Sequence, residues 1–510
     1  LHLSIRRQRQ MCIRDRVMSL VDQLQWYHFV IIGLDYLLKF IALGWVPSKR
    51  RPSSAMAWLL AIFLIPFIGI LLFFLIGSPQ VNKRRHEIQM RANELIRDMA
   101  REEPDMPEGR ELTDEQQSMV QLNRKLTSLP AVGGTLHELY SDYAESIRKM
   151  AQTIDTAKNY VNVQIYIMAW DETTDVFFQA LARAADRGVK VRLMYDHVGS
   201  MKYPESHLLG RKLDRLDIEW YAMLPLKPWR WKFRRPDLRN HRKVVVVDGE
   251  RAFMGSQNMI DASYLMSGNL KLGRQWVDIM GEFTGPIVTE INSVFALDWF
   301  AESGESLDLI APTDLAQELD DEDKDVGEEL MQVLPSGPGF TTDPNLRMFV
   351  SMVHHAKEHL QIVSPYFIPD ESLLEAVTTA AYRGVRVELY VSEKADQAMV
   401  GHAQASYYEE LLEAGVKIYQ YPAPAVLHTK AAIADKEVAV MGSSNMDMRS
   451  FGLNYEITMV SFEGKLMNEL DRVIQGYKDT SKKLTKEQWA KRPWHQKYVD
   501  NVARLTSALQ

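Results

Sequence analysis

Apolar positions along this chain fall into two regimes. Between Trp26 and Gly77 they run together: Trp26 to Val46 is interrupted only by His28, Asp35 and Lys39, and no Asp, Glu, Lys, Arg or His occurs from Pro52 to Asn82. At about 1.5 Å per residue, roughly 20 helical residues cross a ~30 Å hydrocarbon layer. Trp26–Val46 and Ala55–Gly77 therefore both have membrane length, and together they predict a transmembrane helical hairpin within residues 18–85. Asp35 and Lys39 are spaced to pair on one helical face. Pro47 to Pro52 reads as a basic turn, and Trp26, Trp45 and Trp58 sit where interfacial anchors sit. Lys49, Arg50 and Arg51 on one side balance Lys83, Arg84 and Arg85 on the other, so positive charge does not set the orientation.

From about Thr135 the pattern changes to short β-branched runs alternating with amphipathic helical stretches, which predicts an α/β fold. The alternation occurs twice. Residues 160–167 read as a buried strand, 175–188 as a helix ending at a glycine and 189–195 as the next strand; 360–368, 371–384 and 385–391 repeat the order. Arg187-Gly188-Val189-Lys190-Val191 recurs as Arg383-Gly384-Val385-Arg386-Val387, the mark of an internal duplication. The halves are placed at 134–303 and 340–463. Residues 1–17 carry five Arg and no signal-peptide core, and read as a non-native extension before a start at Met18. Residues 86–133 read as a charged, solvated connector. Residues 304–339 read as an acidic linker, because Glu305 to Glu329 holds eleven acidic residues against Lys324. Residues 464–510 have helical apolar spacing and are expected to pack on the second half.

Composition narrows the class. The 510 residues are 46% hydrophobic and 25% charged, an ordinary globular balance. The single cysteine, Cys12, can form neither an intramolecular disulfide nor a thiolate cluster. A formal charge of −7 argues against a protein held on nucleic acid by overall charge.

Each half carries one polar cluster at matching intervals: His241, Lys243, Asp248, Gly255, Ser256 and Asn258, then His428, Lys430, Asp435, Gly442, Ser443 and Asn445. On an extended strand residues two apart share a face, so each His projects with its Lys. Asp248-Gly249 and Asp435-Lys436 are turn signals, after which Gly-Ser-x-Asn returns beside the His and Lys. A zinc site would need further His, Cys or carboxylate ligands where Lys stands, so no catalytic metal and no cofactor are expected. Two imidazoles and two ammonium groups, with Ser and Asn donors around one cleft, suit a phosphodiester. One neutral His attacks phosphorus while the other donates and then removes a proton, giving two-step transfer through a phosphohistidine.

His-x-Lys-x4-Asp-x6-Gly-Ser-x-Asn, present twice, resembles the phospholipase D superfamily. NHRKVVVVDGERAFMGSQNMID and LHTKAAIADKEVAVMGSSNMDMRSFGLNYE, behind an apolar N-terminal hairpin, look like the bacterial cardiolipin synthases within it. The resemblance implies two α/β/α sandwich halves with pseudo-two-fold symmetry and a cleft between them. It implies a catalytic set of His241, Lys243, Asp248, His428, Lys430 and Asp435, with His241 as nucleophile and His428 as acid and then base. Asp248 and Asp435 end strands at turns, so a structural or orienting part suits them better. Ser256, Asn258, Ser443 and Asn445 would hold the phosphate, and Glu456 and Asp278 would orient the histidines. The implied reaction passes a phosphatidyl group between two phosphatidylglycerols, giving cardiolipin and glycerol. The implied setting is a multi-pass protein of the bacterial inner membrane with its catalytic domain in the cytoplasm, acting on anionic lipid and not on nucleic acid. The Lys227–Lys243 segment, with Trp229, Trp231 and Phe233 among its basic residues, suits lipid headgroups. A phospholipase D or endonuclease using water, and a catalytically silent scaffold, are the alternatives.

Overall fold

The computed structural model describes residues 26–48, 52–77, 104–227, 232–233, 237–307, 327–340 and 342–507. The chain divides into a small N-terminal unit, residues 1–80, and a large unit, residues 81–510. The expected extension at 1–17, residues 86–103 of the connector, the acidic core of the linker, and Trp229 and Trp231 lie outside the described residues.

In the small unit, α1 (Trp26–Trp45) is a continuous apolar helix of membrane length. Its Asp35 and Lys39 pair at 2.7 Å, as their spacing requires. The second apolar stretch departs from the expected single span. It forms α2 (Pro52–Leu64) and α3 (Pro66–Leu72), followed by one wide turn, Phe73–Gly77. Pro66 lacks an N–H and its ring collides with the preceding turn, so the helix stops there. The chain then doubles back. A Cβ on Gly69 would stand 2.6 Å from the Ala61 carbonyl oxygen, so only glycine permits this approach, and Trp58 meets Phe73 edge-on at 5.6 Å. At about 1.5 Å per residue α2 is ~20 Å long, short of the hydrocarbon thickness.

The large unit opens with α4 (Asp114–Thr127), capped by a Thr113–Gln116 box. This part of the expected connector is not a solvated surface element. Met119, Val120 and Asn123 are buried, and Gln116 reaches the carbonyls of Glu437 and Phe462 at 2.8 Å. The first half follows as β1 (Val132–Tyr140), α5 (Tyr143–Asp155), β2 (Tyr160–Ile165), α6 (Asp175–Asp186), β3 (Lys190–Asp196), β4 (Glu219–Met223), β5 (Lys243–Val247), β6 (Arg251–Gly255), α7 (Ser267–Leu272), β7 (Met280–Thr284) and α8 (Ile287–Ser303). The second half repeats it as β8 (Glu329–Ser336), α9 (Pro344–His355), β9 (His359–Val363), α10 (Glu371–Tyr382), β10 (Arg386–Ser392), α11 (Ala398–Ala405), β11 (Lys417–Tyr421), β12 (Ala431–Ala434), β13 (Val438–Gly442), β14 (Asn454–Ser461) and α12 (Lys465–Thr480). A short strand β15 (Lys482–Leu484) and a last helix α13 (Trp494–Arg504) close the described chain.

These strands make one continuous sheet in the order β15-β11-β10-β9-β12-β13-β14-β8-β1-β7-β6-β5-β2-β3-β4. Apart from β15, the order reads the same from either side of the β8–β1 junction, where Val132 faces Met331 and the strands run antiparallel. Antiparallel pairing of equivalent strands is what a two-fold relation between halves demands. The junction strand β8 falls inside the expected acidic linker. Its Glu329 is buried yet satisfied, accepting the backbone N–H groups of Leu136 and Leu466. Helices α8 and α12 lie against the sheet, α12 through Leu466, Leu470 and Ile474, where it meets β1 of the first half as well as β11, β12 and β13 of the second.

Candidate active site

The two hairpins form as their spacing requires. β5 pairs with β6 and β12 with β13, the turns falling at Asp248-Gly249 and Asp435-Lys436 with positive φ at all four residues. Gly255 and Gly442 let each return strand close on the next, since a Cβ on either would stand 2.3 Å from a carbonyl oxygen, of Ile279 or Ile457.

The histidines sit just before β5 and β12, and each is held by the other half. The His241 N–H donates to the Tyr455 carbonyl and the His428 N–H to the Val277 carbonyl, both at 2.8 Å. Nδ1 of His241 lies 3.0 Å from Glu456 Oε2 and 2.9 Å from the Ser443 carbonyl oxygen. Nδ1 of His428 lies 2.8 Å from Asp278 Oδ1. Carbonyl and carboxylate oxygens only accept, so each Nδ1 carries the proton and each Nε2 keeps its lone pair. Both imidazoles line one cleft of about 920 Å³ between the halves, together with Asn258, Asn445, Arg239 and Arg449.

Burial sets the charge states. It drives His241 down to about 4 against the attraction of Glu456, and the nearby Lys243 and Lys430 add to the fall. His428 is lowered too, by burial first, with Asp278 opposing. Burial alone would raise the Glu456 and Asp278 carboxyls, but the facing histidine and lysine hold both below the usual range. Lys243 is pushed well below an ordinary lysine by burial and then by Lys430, and Lys430 falls to about 8 by burial. Each ammonium donates to the carbonyl of its own motif histidine. Lys243 also lies 5.2 Å from the centre of the Tyr166 ring, which stands edge-on to His241.

Several expected assignments are corrected. Ser256 and Ser443 do not face the cleft: their buried hydroxyls donate to Asp278 (2.6 Å) and Glu456 (2.5 Å) and accept the N–H of Ile279 and Ile457. They fasten the carboxylates that hold the histidines. Asp248 and Asp435 are far from the chemistry, since β5 alone separates Asp248 from Lys243 by about 17 Å. Asp248 accepts the N–H groups of Lys158, Asn159 and Tyr160, and Asp435 those of Lys357, Glu358 and His359. Both are loop clamps. Asn258 and Asn445 do reach the cleft, although Asn258 is also tied to Tyr264 at 2.7 Å. Within the basic segment, Arg239 and Arg242 point inward to Asp196 and Asp298. Cleft residues that sequence reasoning misses include Tyr166, Tyr366 and Arg449. Position beyond a strand end is the available signal for the tyrosines. Among the described residues no three His, Cys, Asp or Glu side chains converge as metal ligands.

The family model described as "Cardiolipin synthase, PLD-like domain" matches residues 150–299 and 349–477, one segment in each half. The chain belongs to the cardiolipin synthase family. A second model, "Phospholipase_D-nuclease N-terminal", matches residues 37–78. Cardiolipin synthase A of Cronobacter sakazakii is 33% identical over 94% of this chain and 98% of its own length. That of Erwinia tasmaniensis is 32% identical with the same coverage. Among solved structures, phosphatidylserine synthase of Haemophilus influenzae superposes with a TM-score of 0.55 at 14% identity, covering 77% of this chain and all of that one. The fold is thus that of the phospholipase D-type phosphatidyltransferases, and cardiolipin synthase relatives match it almost end to end.

Proposed function

We propose that this cleft moves a phosphatidyl group from one phosphatidylglycerol to a hydroxyl of a second, through a phosphohistidine on His241. The observation that carries the reading is the exchange of carboxylates between halves, which leaves two Nε2 atoms on one cleft with protons fixed at Nδ1. Nε2 of neutral His241 attacks phosphorus and the bond to the glycerol oxygen breaks. His428, protonated in the presence of the anionic phosphodiester, gives its Nε2 proton to that oxygen and glycerol leaves. Neutral His428 then takes the proton of the second lipid's headgroup hydroxyl, whose oxygen attacks phosphorus. The P–N bond breaks, His241 is restored and cardiolipin departs. Lys243 and Lys430 repel each other in the empty cleft, and a phosphodiester anion relieves that repulsion while gaining two buried cations. Asn258 and Asn445 are suited to hold its oxygens. The partners on this reading are phosphatidylglycerol and anionic membrane lipid, not nucleic acid.

We further propose the bacterial inner membrane as its site, with the catalytic halves on the cytoplasmic side. Apolar α1 and the bacterial relatives support this, and a C-terminal reporter fusion tests the side. Purified protein in mixed micelles with labelled phosphatidylglycerol is expected to release glycerol and form cardiolipin, and His241→Ala or His428→Ala to abolish both. Mass spectrometry of alkali-quenched protein, in which a P–N bond survives, should find the phosphatidyl group or its deacylated glycerophosphoryl remnant on His241. Phosphatidic acid as the main product would make it a hydrolase; the same adduct on His428 would reverse the two roles.

A further inference from the structure

Helix α13 presents a face that nothing among the described residues covers. Its inner side is seated through Ala503 and Asp500, the latter held by His402 at 2.7 Å and by Arg492. The outer side carries Trp494, Tyr498 and Val502, continued by Leu505, at spacings of four, four and three that keep them in one stripe. These side chains are 78, 64, 47 and 77% exposed. Residues paired or buried elsewhere on α13 show that it is docked on the domain, so among the described residues the stripe is an outer surface.

The stripe adjoins the mouth of the reaction cleft. Thr506, just past α13, and Met399 and Val400 on α11 line that cleft. The first half supplies the other lip in the same way: Met266 and Asn269 line the opening, while Leu270 and Leu272 of α7 stand exposed. Basic side chains border both lips, Lys497 on α13 and Lys271 between the two leucines of α7, while Arg504 on α13 is paired with Glu410. A contiguous apolar strip is disfavoured in water, and Trp and Tyr prefer the boundary where an apolar ring and a polar edge are both satisfied. Apolar side chains next to Lys and Arg match the headgroup layer of an anionic bilayer.

We propose that the outer face of α13, with α7 across the cleft, is a membrane-docking surface that lies in the headgroup layer of an anionic bilayer and seats the cleft mouth directly on its lipid. The proposal rests on the lipid-transfer reading of the cleft. A two-chain lipid cannot leave the bilayer without exposing its acyl chains to water, so the catalytic cleft must come to the headgroup. A membrane helix at the N-terminus tethers the chain, and α13 with α7 orients the cleft.

The test uses the full chain with Cys12→Ser, reconstituted in vesicles of phosphatidylglycerol and phosphatidylcholine. A fluorophore is placed at Tyr498→Cys, at Leu505→Cys, or at Lys436→Cys, the last at the strand turn remote from the cleft. Lipid brominated along its acyl chains should quench the first two labels and spare the third. Replacing Trp494, Tyr498, Val502 and Leu505 together by Ser should lower turnover of bilayer phosphatidylglycerol about tenfold, with turnover of a monomeric short-chain phosphatidylglycerol and the circular dichroism spectrum unchanged. Unquenched labels at 498 and 505 would overturn docking, as would equal losses on both substrates. Disulfide cross-linking between copies of the unlabelled Tyr498→Cys variant without lipid would also overturn it, in favour of a protein partner. Wild-type protein that made cardiolipin from neither substrate would instead sink the reading of the cleft, with the quenching still deciding the docking.

Discussion

His241 takes its orienting carboxylate from Glu456, 215 residues further along the chain, and the Ser443 hydroxyl fastens that carboxylate from behind. His428 is held in the same way by Asp278 and Ser256. Neither half therefore contains a complete acid–base pair. Glu456→Gln keeps the shape but removes the charged one of the two acceptors facing Nδ1–H, leaving the Ser443 carbonyl alone to hold the ring and no carboxylate to stabilise positive charge on it. The expected result is a fall in kcat of about 10²- to 10⁴-fold with KM little changed. Steady-state kinetics on mixed micelles reads it, and a wild-type kcat would remove the orienting role.

The pH profile follows from burial. Folded His241 titrates at about 4 against an ordinary 6.5, and Lys430 at about 8 against 10.5. In both windows the unfolded chain binds more protons, so each group makes stability rise with pH, between about 4 and 6.5 and between about 8 and 10.5. On the proposed mechanism activity responds with the opposite sign on the alkaline side, because the phosphate would meet an uncharged lysine. The profile of kcat/KM should fall towards alkaline pH, because the free enzyme loses the proton of His428, lowered by burial, and then the charges of Lys243 and Lys430, the latter near 8. In Lys430→Arg the residual activity should lose the part of the decline that falls near 8, since guanidinium stays charged, while the part due to Lys243 and His428 remains. A wild-type profile level to pH 10 would show that the charge of Lys430 is not required.

Asp248→Ala separates a clamp from a catalytic group. Three backbone N–H groups lose a charged acceptor. A loss of about 1.5–3 kcal/mol of stability is expected, with turnover per folded molecule near wild type. Denaturant titration and active-site-normalised kinetics check the two parts, and a large loss of kcat in folded protein would return Asp248 to the chemistry.

Arg242 lies between the two motif residues but points the other way, into a buried pair with Asp298 and onto the Glu456 carbonyl. Arg242→Ala strands a buried carboxylate and should cost about 3–5 kcal/mol, seen as a lower midpoint of denaturation. Replacing Arg242 and Asp298 together by apolar residues should restore much of it.

The reversal at Ile65-Pro66 leaves α1 as the single helix of spanning length among the described residues. An epitope before Trp26 and a reporter at the C-terminus are then expected on opposite faces of the membrane. Both on one face would show that the second stretch opens into a span.

What the sequence makes legible is local or repeated. The duplication, both hairpins and the residues at their ends follow from period-two patterning and turn chemistry. Direction is harder: spacing puts Ser256 and Ser443 near the site, but only the fold shows their hydroxyls turned to Asp278 and Glu456 rather than to the cleft. Strand β8 is hidden because Glu329 and Pro335 break the strand pattern, and Glu329 is buried by two N–H groups contributed from elsewhere in the chain. Helix α4 reads as solvated for a similar reason, its Gln116 and Asn123 being polar yet satisfied inside. Pro66 is visible, but not the close approach at Gly69 that lets the chain return on itself.

The antiparallel seam between β1 and β8 joins the halves through backbone hydrogen bonds that need no peptide connection from one to the other. The molecule is in effect a homodimer written as a single polypeptide, and one continuous chain holds its two parts at high local concentration. Fusion also frees the two copies to diverge. A Glu can hold one imidazole and an Asp the other, an asymmetry that identical subunits could not encode and that a reaction with separate donor and acceptor steps can use.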